Sequence, residues 1–262
     1  MAEIMVEKDG AIATVILNRP AQLNTISQGM LDELTLALLG CDHDAAVRVV
    51  IITGAGKAFC AGLDLVDAAS EEGVSRGGFG LGPSLDIRNF PPSVLHHMDT
   101  PTICAINGAA AGFGLDLALG CDIRIASAGS KMAAVFTRRG VVPESGGTWY
   151  LPRLLGWAKA AEIIFAGKTL SGAECLELGL VNQLVADDQL LPSAVALATD
   201  IASCAPLAVC SAKRMMRAGI NEGFDEHVER VYLQVLPLLQ SEDFREGFSA
   251  FLDKRPPSFK GR

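Results

Sequence analysis

Residues 101–126 read PTICAINGAAAGFGLDLALGCDIRIA, and this stretch decides the fold. Its first part, Thr102–Ile106, is apolar and short, which predicts a buried strand in the centre of a sheet. Glycine then recurs, and it permits sharp turns and close approach of a ligand to the backbone, at Gly108, Gly112 and Gly114. The pattern predicts a strand, a glycine-rich turn, a short helix and a second strand.

The helix in this stretch is expected to begin near Phe113, where its first N–H groups have no partner within the helix. Such donors can stabilise the negative oxygen that develops on a carbonyl during a reaction. Asp116 lies one turn into the helix, so we expect its carboxylate near the same pocket.

A second stretch has the same plan. Residues 47–62, VRVVIITGAGKAFCAG, combine a β-branched strand with a glycine-rich turn. Gly-Leu-Asp-Leu occurs at 114–117 in the first stretch and at 62–65 where the second stretch ends, and the N–H groups of Leu63 and Phe113 are therefore paired candidate donors. A simpler interpretation is that both glycine turns only connect strands to helices.

The two glycine turns and a third motif occur in the order and spacing of a known family. The motifs are GAGKAFCAGLDL at 54–65, NGAAAGFGLDLALGCDIRIA at 107–126 and RRGVVPESGGTWYLPRLLG at 138–156. They resemble the crotonase superfamily of enoyl-CoA hydratases and isomerases. The resemblance runs nearly end to end, from ATVILNRPAQLN at 13–24 to FLDKRPPSFKGR at 251–262.

The resemblance implies an α/β, crotonase-like spiral of ββα units followed by a C-terminal helical region. The spiral core is expected over residues 1–200, and a helical trimerisation region over residues 201–262. The implied substrate is an acyl-CoA thioester, and the implied assembly is a homotrimer or a hexamer formed as a dimer of trimers. Coenzyme A would be part of the substrate, so no separate cofactor is expected.

The resemblance also assigns chemistry to individual positions. The N–H groups of Leu63 and Phe113 would form the oxyanion hole for the thioester. Hydratases of the family use two glutamates; the first falls on Asp116, and the second falls on Phe136, which cannot act as a base. Glu144 stands where several Δ3,Δ2-enoyl-CoA isomerases of the family carry their base.

The sequence therefore favours isomerisation with Glu144 as the base, while Asp116 orients the substrate or shares the proton. Phe136 is predicted to line the acyl pocket and exclude water. Two alternatives stay open: an enoyl-CoA hydratase that uses Asp116 and Glu144, and a non-catalytic acyl-CoA-binding protein. From position alone, Glu144 is also compatible with an acidic residue that only stabilises the start of a helix.

The net charge of −8 and the pI near 5.0 argue against nucleic acid as a partner, since no stripe of basic residues is present. An anionic coenzyme must then meet a few specific positive side chains. The predicted coenzyme A contacts are Arg19, Lys57, Arg255 and Lys260, together with the small residue Ala61 beside the thioester.

Metal and membrane classes have little support in the sequence. The seven cysteines are scattered and the four histidines form no ligand cluster, so we predict no metal site. No apolar run reaches the ~18–20 residues of a spanning helix. The first residues lack the pattern of a signal peptide, so we expect a cytoplasmic protein without a membrane partner.

Local patterns predict further elements along the chain. A hairpin is expected from 3–8 and 11–18, a strand at 48–53, and a loop or lid over the glycine-rich 70–84. A short strand is predicted from Lys131 to Val135. Helices are expected from Ser27 to Gly40, at 89–98 with His96 and His97 in packing or surface roles, and at 145–155, 157–166, 171–179, 188–204, 206–218, 222–240 and 242–253.

Overall fold

A computed structural model describes residues 2–64 and 90–262 of the protein. The predicted loop at 70–84 lies outside these residues. The described chain forms two sheets, one of six strands and one of four, with helices packed against them. This mixed architecture confirms the predicted α/β class.

The strands of the described residues are Ile4–Asp9 (β1), Ile12–Leu17 (β2), Val49–Gly54 (β3), Ala58–Cys60 (β4), Thr102–Ile106 (β5), Ala109–Ala111 (β6), Ile123–Ser127 (β7), Lys131–Ala133 (β8), Thr169–Ser171 (β9) and Gln183–Val185 (β10). The larger sheet has the order β1-β2-β3-β5-β7-β10, and the smaller has the order β4-β6-β8-β9. β1 and β2 form the predicted antiparallel hairpin, and the rest of the larger sheet is parallel.

The helices of the described residues are Gln28–Asp42 (α1), Pro91–His97 (α2), Phe113–Gly120 (α3), Gly147–Leu155 (α4), Trp157–Phe165 (α5), Gly172–Glu177 (α6), Leu190–Ala202 (α7), Pro206–Gly219 (α8), Phe224–Leu238 (α9) and Glu242–Leu252 (α10). They occur where helices are predicted, with ends shifted by up to a few residues. Ser27 and Ser171 are the N-caps of α1 and α6, and each accepts a backbone N–H with its side chain. The predicted strand at 131–135 is shorter and ends at Ala133.

Both faces of the parallel strands are buried, which explains why β3 and β5 are apolar without alternation. Val50 and Ile52 point into the main core between the sheets and α1. Val49 and Ile51 belong to a second cluster, which α7 covers with Leu190 and two buried alanines. α7 therefore packs on the core sheet rather than with the helices that follow it.

The chain alternates between the sheets in a repeated order that places the candidate site. β5 leads into β6 and then α3, and the same step from the larger to the smaller sheet occurs from β3 to β4 and from β7 to β8. β4 and β6 are consequently parallel neighbours, with Ala58 opposite Ala109 and Cys60 opposite Ala110. Since parallel strands end at the same edge, the turns after β4 and β6 lie side by side.

Ion pairs fasten α8 to the segment that follows α2. Asp99 pairs with Arg214 at 2.5 Å and with Arg217 at 3.3 Å. Lys213 pairs with Asp122 at 2.7 Å, at the start of β7. These contacts fix the first of the helices beyond residue 202 against the core.

The C-terminal helices also expose large apolar side chains, including Phe224 and Phe251, which are 80% and 82% exposed. Exposure on this scale is typical of a surface that another chain covers. The domain boundaries at 1–200 and 201–262 and the trimerisation role stay predictions. No single helix in the described part of the chain is long and apolar enough to span a membrane; one pair, Asp187–Ala202 with Pro206–Gly219, meets that test by length and composition only and is bent by 104°.

The passage from β5 to β6 depends on close backbone contact at Gly108. A Cβ atom there would lie 2.1 Å from the carbonyl oxygen of Lys57. We predict that Gly108→Ala lowers the free energy of unfolding by ~1–3 kcal/mol, measured by urea denaturation. Gly40→Ala is the control: nothing lies within 4 Å of its added Cβ in α1, so it should raise stability by up to ~1 kcal/mol. Similar effects of both substitutions would contradict the prediction.

Candidate active site

The turn after β4 is held in place by a short parallel bridge. The N–H of Ile26 donates to the carbonyl of Gly62 at 2.8 Å, and the N–H of Asp64 donates to the carbonyl of Ile26 at 2.9 Å. In such a bridge the intervening residue, Leu63, directs its own N–H away from Ile26. This N–H has no acceptor within residues 2–64 and 90–262.

The turn after β6 places a second N–H donor beside the first. Gly112 has φ 54° and ψ −121°, a conformation that favours glycine, and Phe113 then begins α3. A Cβ added to Gly112 would lie 3.9 Å from the Cα of Gly62, so the two turns touch. The N–H of Phe113 has no acceptor among the described residues either. Two unpaired backbone donors therefore sit at adjacent turns, as an oxyanion hole requires.

Glu144 lies near these turns, just before α4, and lines a cavity of about 330 Å³. The carboxylate is exposed at the cavity, yet partial removal from water raises its pKa above the ordinary value. The hydroxyl of the next residue, Ser145, is close enough to favour the charged carboxylate but makes no hydrogen bond of ordinary geometry. Glu144 is thus a base that solvent-borne molecules can reach.

Aromatic rings form the wall of this cavity. His96 packs edge-on against Trp149 at 5.2 Å between ring centroids, and its Nδ1 lies 3.2 Å from the hydroxyl of Tyr150. Burial lowers the pKa of His96, so its imidazole is neutral near pH 7. Phe90 also lines the cavity, and its ring meets that of Phe113 edge-on at 5.9 Å. We call these four cavity-lining side chains, Phe90, His96, Trp149 and Tyr150, the aromatic recess.

Asp116 is close to Glu144 but is enclosed by protein. Its side chain has 0% exposure, and its Oδ2 accepts the N–H of Ser145 at 3.1 Å. Burial raises the pKa of Asp116 to about 7; the negative charge of Glu144 adds to the rise, while the N–H groups of Gly147 and Ser145 oppose it. Oδ1 faces Gly147 but makes no hydrogen bond of ordinary geometry.

Comparison with known proteins agrees with this arrangement. The sequence model of the enoyl-CoA hydratase/isomerase family matches residues 7–262. The chain belongs to this family. It is 36% identical to 1,2-epoxyphenylacetyl-CoA isomerase of Escherichia coli, with all of both chains covered, and 33% identical to short-chain-enoyl-CoA hydratase of Clostridium acetobutylicum, covering 99% of this chain and 98% of the relative.

The solved structures confirm the crotonase-like fold. Enoyl-CoA hydratase from Bacillus anthracis superposes with a TM-score of 0.92 and 35% sequence identity, and the match covers 99% of this chain and 100% of that one. Because relatives of both kinds are similar to this chain, membership of the enoyl-CoA hydratase/isomerase family does not by itself decide between hydration and isomerisation.

Phe136 stands where hydratases of the enoyl-CoA hydratase/isomerase family have their second glutamate, and the structure packs it into the main core. Its side chain is 3% exposed. It is not among the described residues that line the cavity with Glu144. Its predicted role in the acyl pocket therefore stays a prediction, while the absence of a carboxylate at this position is plain.

The predicted coenzyme contact Arg19 is paired with other residues in the structure. Its guanidinium pairs with Glu3 at 3.1 Å and with Asp64 at 2.9 Å, and it donates to the carbonyl of Thr25. Only 16% of the side chain is exposed. Charge counting could not reveal these partners, which leave Arg19 little free charge, and its contact with coenzyme A stays a prediction.

Lys57 and Ala61 lie on the same stretch as Leu63. Lys57 is exposed and forms no ion pair with the described residues. Ala61 is partly buried, and its N–H donates to the carbonyl of Leu23 at 3.0 Å. Of the predicted coenzyme contacts, these two remain near the turn, with Lys57 the available positive charge.

Arg255 and Lys260 line a separate depression beside α10. Arg255 is paired with Glu246 at 2.6 Å, which leaves it little free charge. The N–H of Lys260 donates to Asp243 at 2.6 Å, and this bond fixes its backbone. Within one chain, no described hydrogen bond or ion pair joins this segment to Glu144, so coenzyme binding by these two residues stays a prediction.

The sequence did not single out the aromatic recess. His96 had been assigned to packing or surface roles, and Trp149 and Tyr150 were placed only on a helix. The available signal was that two aromatic residues, Trp149 and Tyr150, follow Glu144 by five and six positions. Within the described residues there is also no group of three or more His, Cys, Asp or Glu side chains that could hold a metal ion.

The raised pKa of Asp116 predicts a pH-dependent loss of stability. Its pKa in the unfolded chain is near 3.8 and rises to about 7 on folding, so the folded state retains a proton that the unfolded state has released. This contribution is complete below the unfolded pKa and is lost as pH rises through the folded value. We predict that the stability of Asp116→Asn relative to wild type grows by ~3 kcal/mol between pH 5 and pH 8.

Urea unfolding at several pH values measures this difference, and its change with pH is independent of any fixed effect of the substitution. In a Glu144→Gln background the change should be smaller, because the negative charge that adds to the raised pKa of Asp116 is absent. A stability difference that does not vary with pH would show that Asp116 is charged in the folded protein throughout this range.

Proposed function

We propose that this family member is an isomerase of the Δ3,Δ2-enoyl-CoA type. One observation carries the proposal: among the described residues, Glu144 is the carboxylate that lines the same cavity as Phe90, whose ring contacts that of the candidate donor residue Phe113. The other two hydratase positions offer no second accessible carboxylate, since Asp116 is fully enclosed and Phe136 is apolar.

In the proposed reaction the thioester oxygen accepts hydrogen bonds from the N–H groups of Leu63 and Phe113. Glu144 removes a proton from C2 of a 3-enoyl-CoA, and the electron pair of that C–H bond enters a dienolate whose oxygen the two donors stabilise. Glu144 then returns the proton to C4, and the double bond moves from C3–C4 to C2–C3. No atom is gained or lost, so one mobile carboxyl is enough.

The surroundings of Glu144 suit this role. Partial burial raises the pKa of its carboxyl, which makes the carboxylate a stronger base than one in water. Its exposed position lets a substrate reach it, and the turn that carries it is fixed at the start of α4.

The second candidate is hydration of a 2-enoyl-CoA by Asp116 and Glu144 together. The proximity of the two carboxyls favours it: the charge of Glu144 contributes to the raised pKa of Asp116, so the two groups lie close together. Hydration needs a water molecule between two working groups, however, and Asp116 has no exposed surface from which to reach one. A third candidate, a protein that only binds acyl-CoA, leaves the accessible base without a use.

We predict that the wild-type protein converts 3-enoyl-CoA to 2-enoyl-CoA much faster than it hydrates 2-enoyl-CoA. Glu144→Gln should lower isomerisation by ~10²–10⁴-fold, because it removes the proposed base, while acyl-CoA binding persists. Rates come from a panel of 3-enoyl-, 2-enoyl- and 3-hydroxyacyl-CoAs, and binding from calorimetry. Fast hydration by wild type would favour the hydratase, and turnover by neither protein would favour the binder.

We infer further that the acyl group occupies the aromatic recess and carries a planar ring or a conjugated system. Edge and face contacts between aromatic rings add ~0.5–1.5 kcal/mol beyond the area they bury, so such a wall favours planar acyl groups over saturated chains. The name of the Escherichia coli relative, which denotes an isomerase of 1,2-epoxyphenylacetyl-CoA, agrees with a ring-bearing substrate.

The two tryptophans provide a matched test of the recess. Trp149 lies in it, whereas Trp157 on α5 is 76% exposed and outside it. Trp149→Ala should lower kcat/KM for ring-bearing acyl-CoAs ~2–10-fold more than for short straight-chain ones, and Trp157→Ala should change both equally. An equal loss for the two substrate classes in Trp149→Ala would place the acyl group elsewhere.

Assembly and compartment belong to the same proposal. The exposed apolar side chains of the C-terminal helices support a homotrimer or a dimer of trimers. The acidic composition supports an acyl-CoA partner held by local positive charge such as that of Lys57 rather than nucleic acid. We place the protein in the cytoplasm and expect no further cofactor.

A further inference from the structure

Asp116 contacts the turn that carries Glu144 rather than the cavity. Its Oδ2 accepts the N–H of Ser145 at 3.1 Å, and the N–H of Gly147 favours its charged form. Ser145 follows Glu144 directly, and Gly147 is the first residue of α4. The carboxyl of Asp116 thus meets the backbone on the C-terminal side of Glu144 at two points two residues apart.

The fit between Asp116 and this turn leaves no spare space. A Cβ added to Gly147 would lie 2.3 Å from Oδ1 of Asp116 and 2.9 Å from Cβ of Pro143. With 0% exposure, the Asp116 side chain offers no surface to a substrate. A glutamate, longer by one methylene, would push its carboxyl into the Gly147 backbone. The short side chain is therefore matched to the turn.

We propose that Asp116 is a positioning residue, which binds the Ser145 and Gly147 turn and so holds the Glu144 carboxyl in place for proton transfer. The inference rests on the proposed isomerase function, in which Glu144 alone moves the proton. It assigns Asp116 a task different from that of a proton carrier, although Asp116 stands at a position where hydratases have a working glutamate.

The electrostatics of the pair are consistent with this task. Glu144 is the charged side chain that acts on Asp116, and the other influences are burial and the two backbone N–H groups. Near pH 7, Asp116 is partly protonated, because burial raises its pKa to about 7. As Asp116 ionises, its hydrogen bonds to the turn strengthen, and the added negative charge makes Glu144 a stronger base.

The test compares three substitutions at Asp116 in the full-length protein, with 3-enoyl-CoA as substrate. In Asp116→Asn the amide oxygen still accepts the Ser145 N–H, so kcat should stay within ~10-fold of wild type. Asp116→Ala removes the acceptor and Asp116→Glu displaces the turn, so both should lower kcat by ~100-fold, as expected for a base misplaced by about 1 Å. KM should change less than ~3-fold in all three.

Comparison of kcat between Asp116→Asn and Asp116→Glu distinguishes the two roles. A proton carrier requires a carboxyl, whereas a positioning residue requires a side chain of the correct length. Higher activity of Asp116→Glu than of Asp116→Asn, or loss in Asp116→Asn as severe as in Glu144→Gln, would overturn the inference. A wild-type rate for Asp116→Ala would overturn it too. In wild type, kcat should increase as the pH rises through about 7, where Asp116 ionises, and Asp116→Asn should lack this increase. The same pH profile of kcat in both proteins would contradict the inference.

Glu33→Ala controls for general destabilisation. Oε2 of Glu33 also accepts two backbone N–H groups, those of Glu3 and Ile4 at 2.8 and 2.9 Å, but it lies beside β1. Its kcat should equal that of wild type even if its melting temperature falls as far as that of Asp116→Ala. Failure of the proposed function is recognised separately: wild type would then not isomerise 3-enoyl-CoA, or Glu144→Gln would remain active.

Discussion

The site depends on the parallel contact between two short strands, β4 and β6. Their pairing brings Gly62 and Gly112 together closely enough that a single methyl group on Gly112 would fill the space between the turns. The N–H groups of the residues that follow, Leu63 and Phe113, have no acceptor within the part of the chain that the structure describes. Two unpaired backbone donors destabilise a folded protein, and packing of the surrounding core must compensate for this loss.

The buried carboxyl of Asp116 is a second destabilising feature of the core. A carboxyl with no access to water and with only one ordinary hydrogen bond is less stable in its charged form than a carboxyl in solution. This carboxyl lies beside the start of α4, where backbone N–H groups and the helix dipole favour its negative charge. Catalytic geometry and stability are therefore in opposition here, as is common at functional sites.

Much of the fold could be predicted from local patterns. The hairpin, the strands β3 and β5 and the serine caps of α1 and α6 follow from alternation, apolar runs and capping residues that act over a few positions. Glu144 was found through a motif, and its exposure agrees with the assignment. The ion pairs of Arg19 could not be predicted, because its partners Glu3 and Asp64 lie 16 and 45 positions away. The aromatic recess also joins α2 to α4, and only tertiary structure could reveal it.

The attachment of α8 has a consequence for communication within the molecule. Besides its ion pair with Asp99, Arg217 donates to the backbone carbonyls of His96 and Met98 at 2.7 and 3.0 Å. Arg217 of α8 thus binds the end of α2, and His96 of α2 forms part of the aromatic recess. A displacement of α8 would therefore disturb the backbone at the end of α2, which Arg217 contacts directly. A partner that moved α8 and an acyl group that moved α2 would then be linked, and each would change the affinity for the other by the same factor.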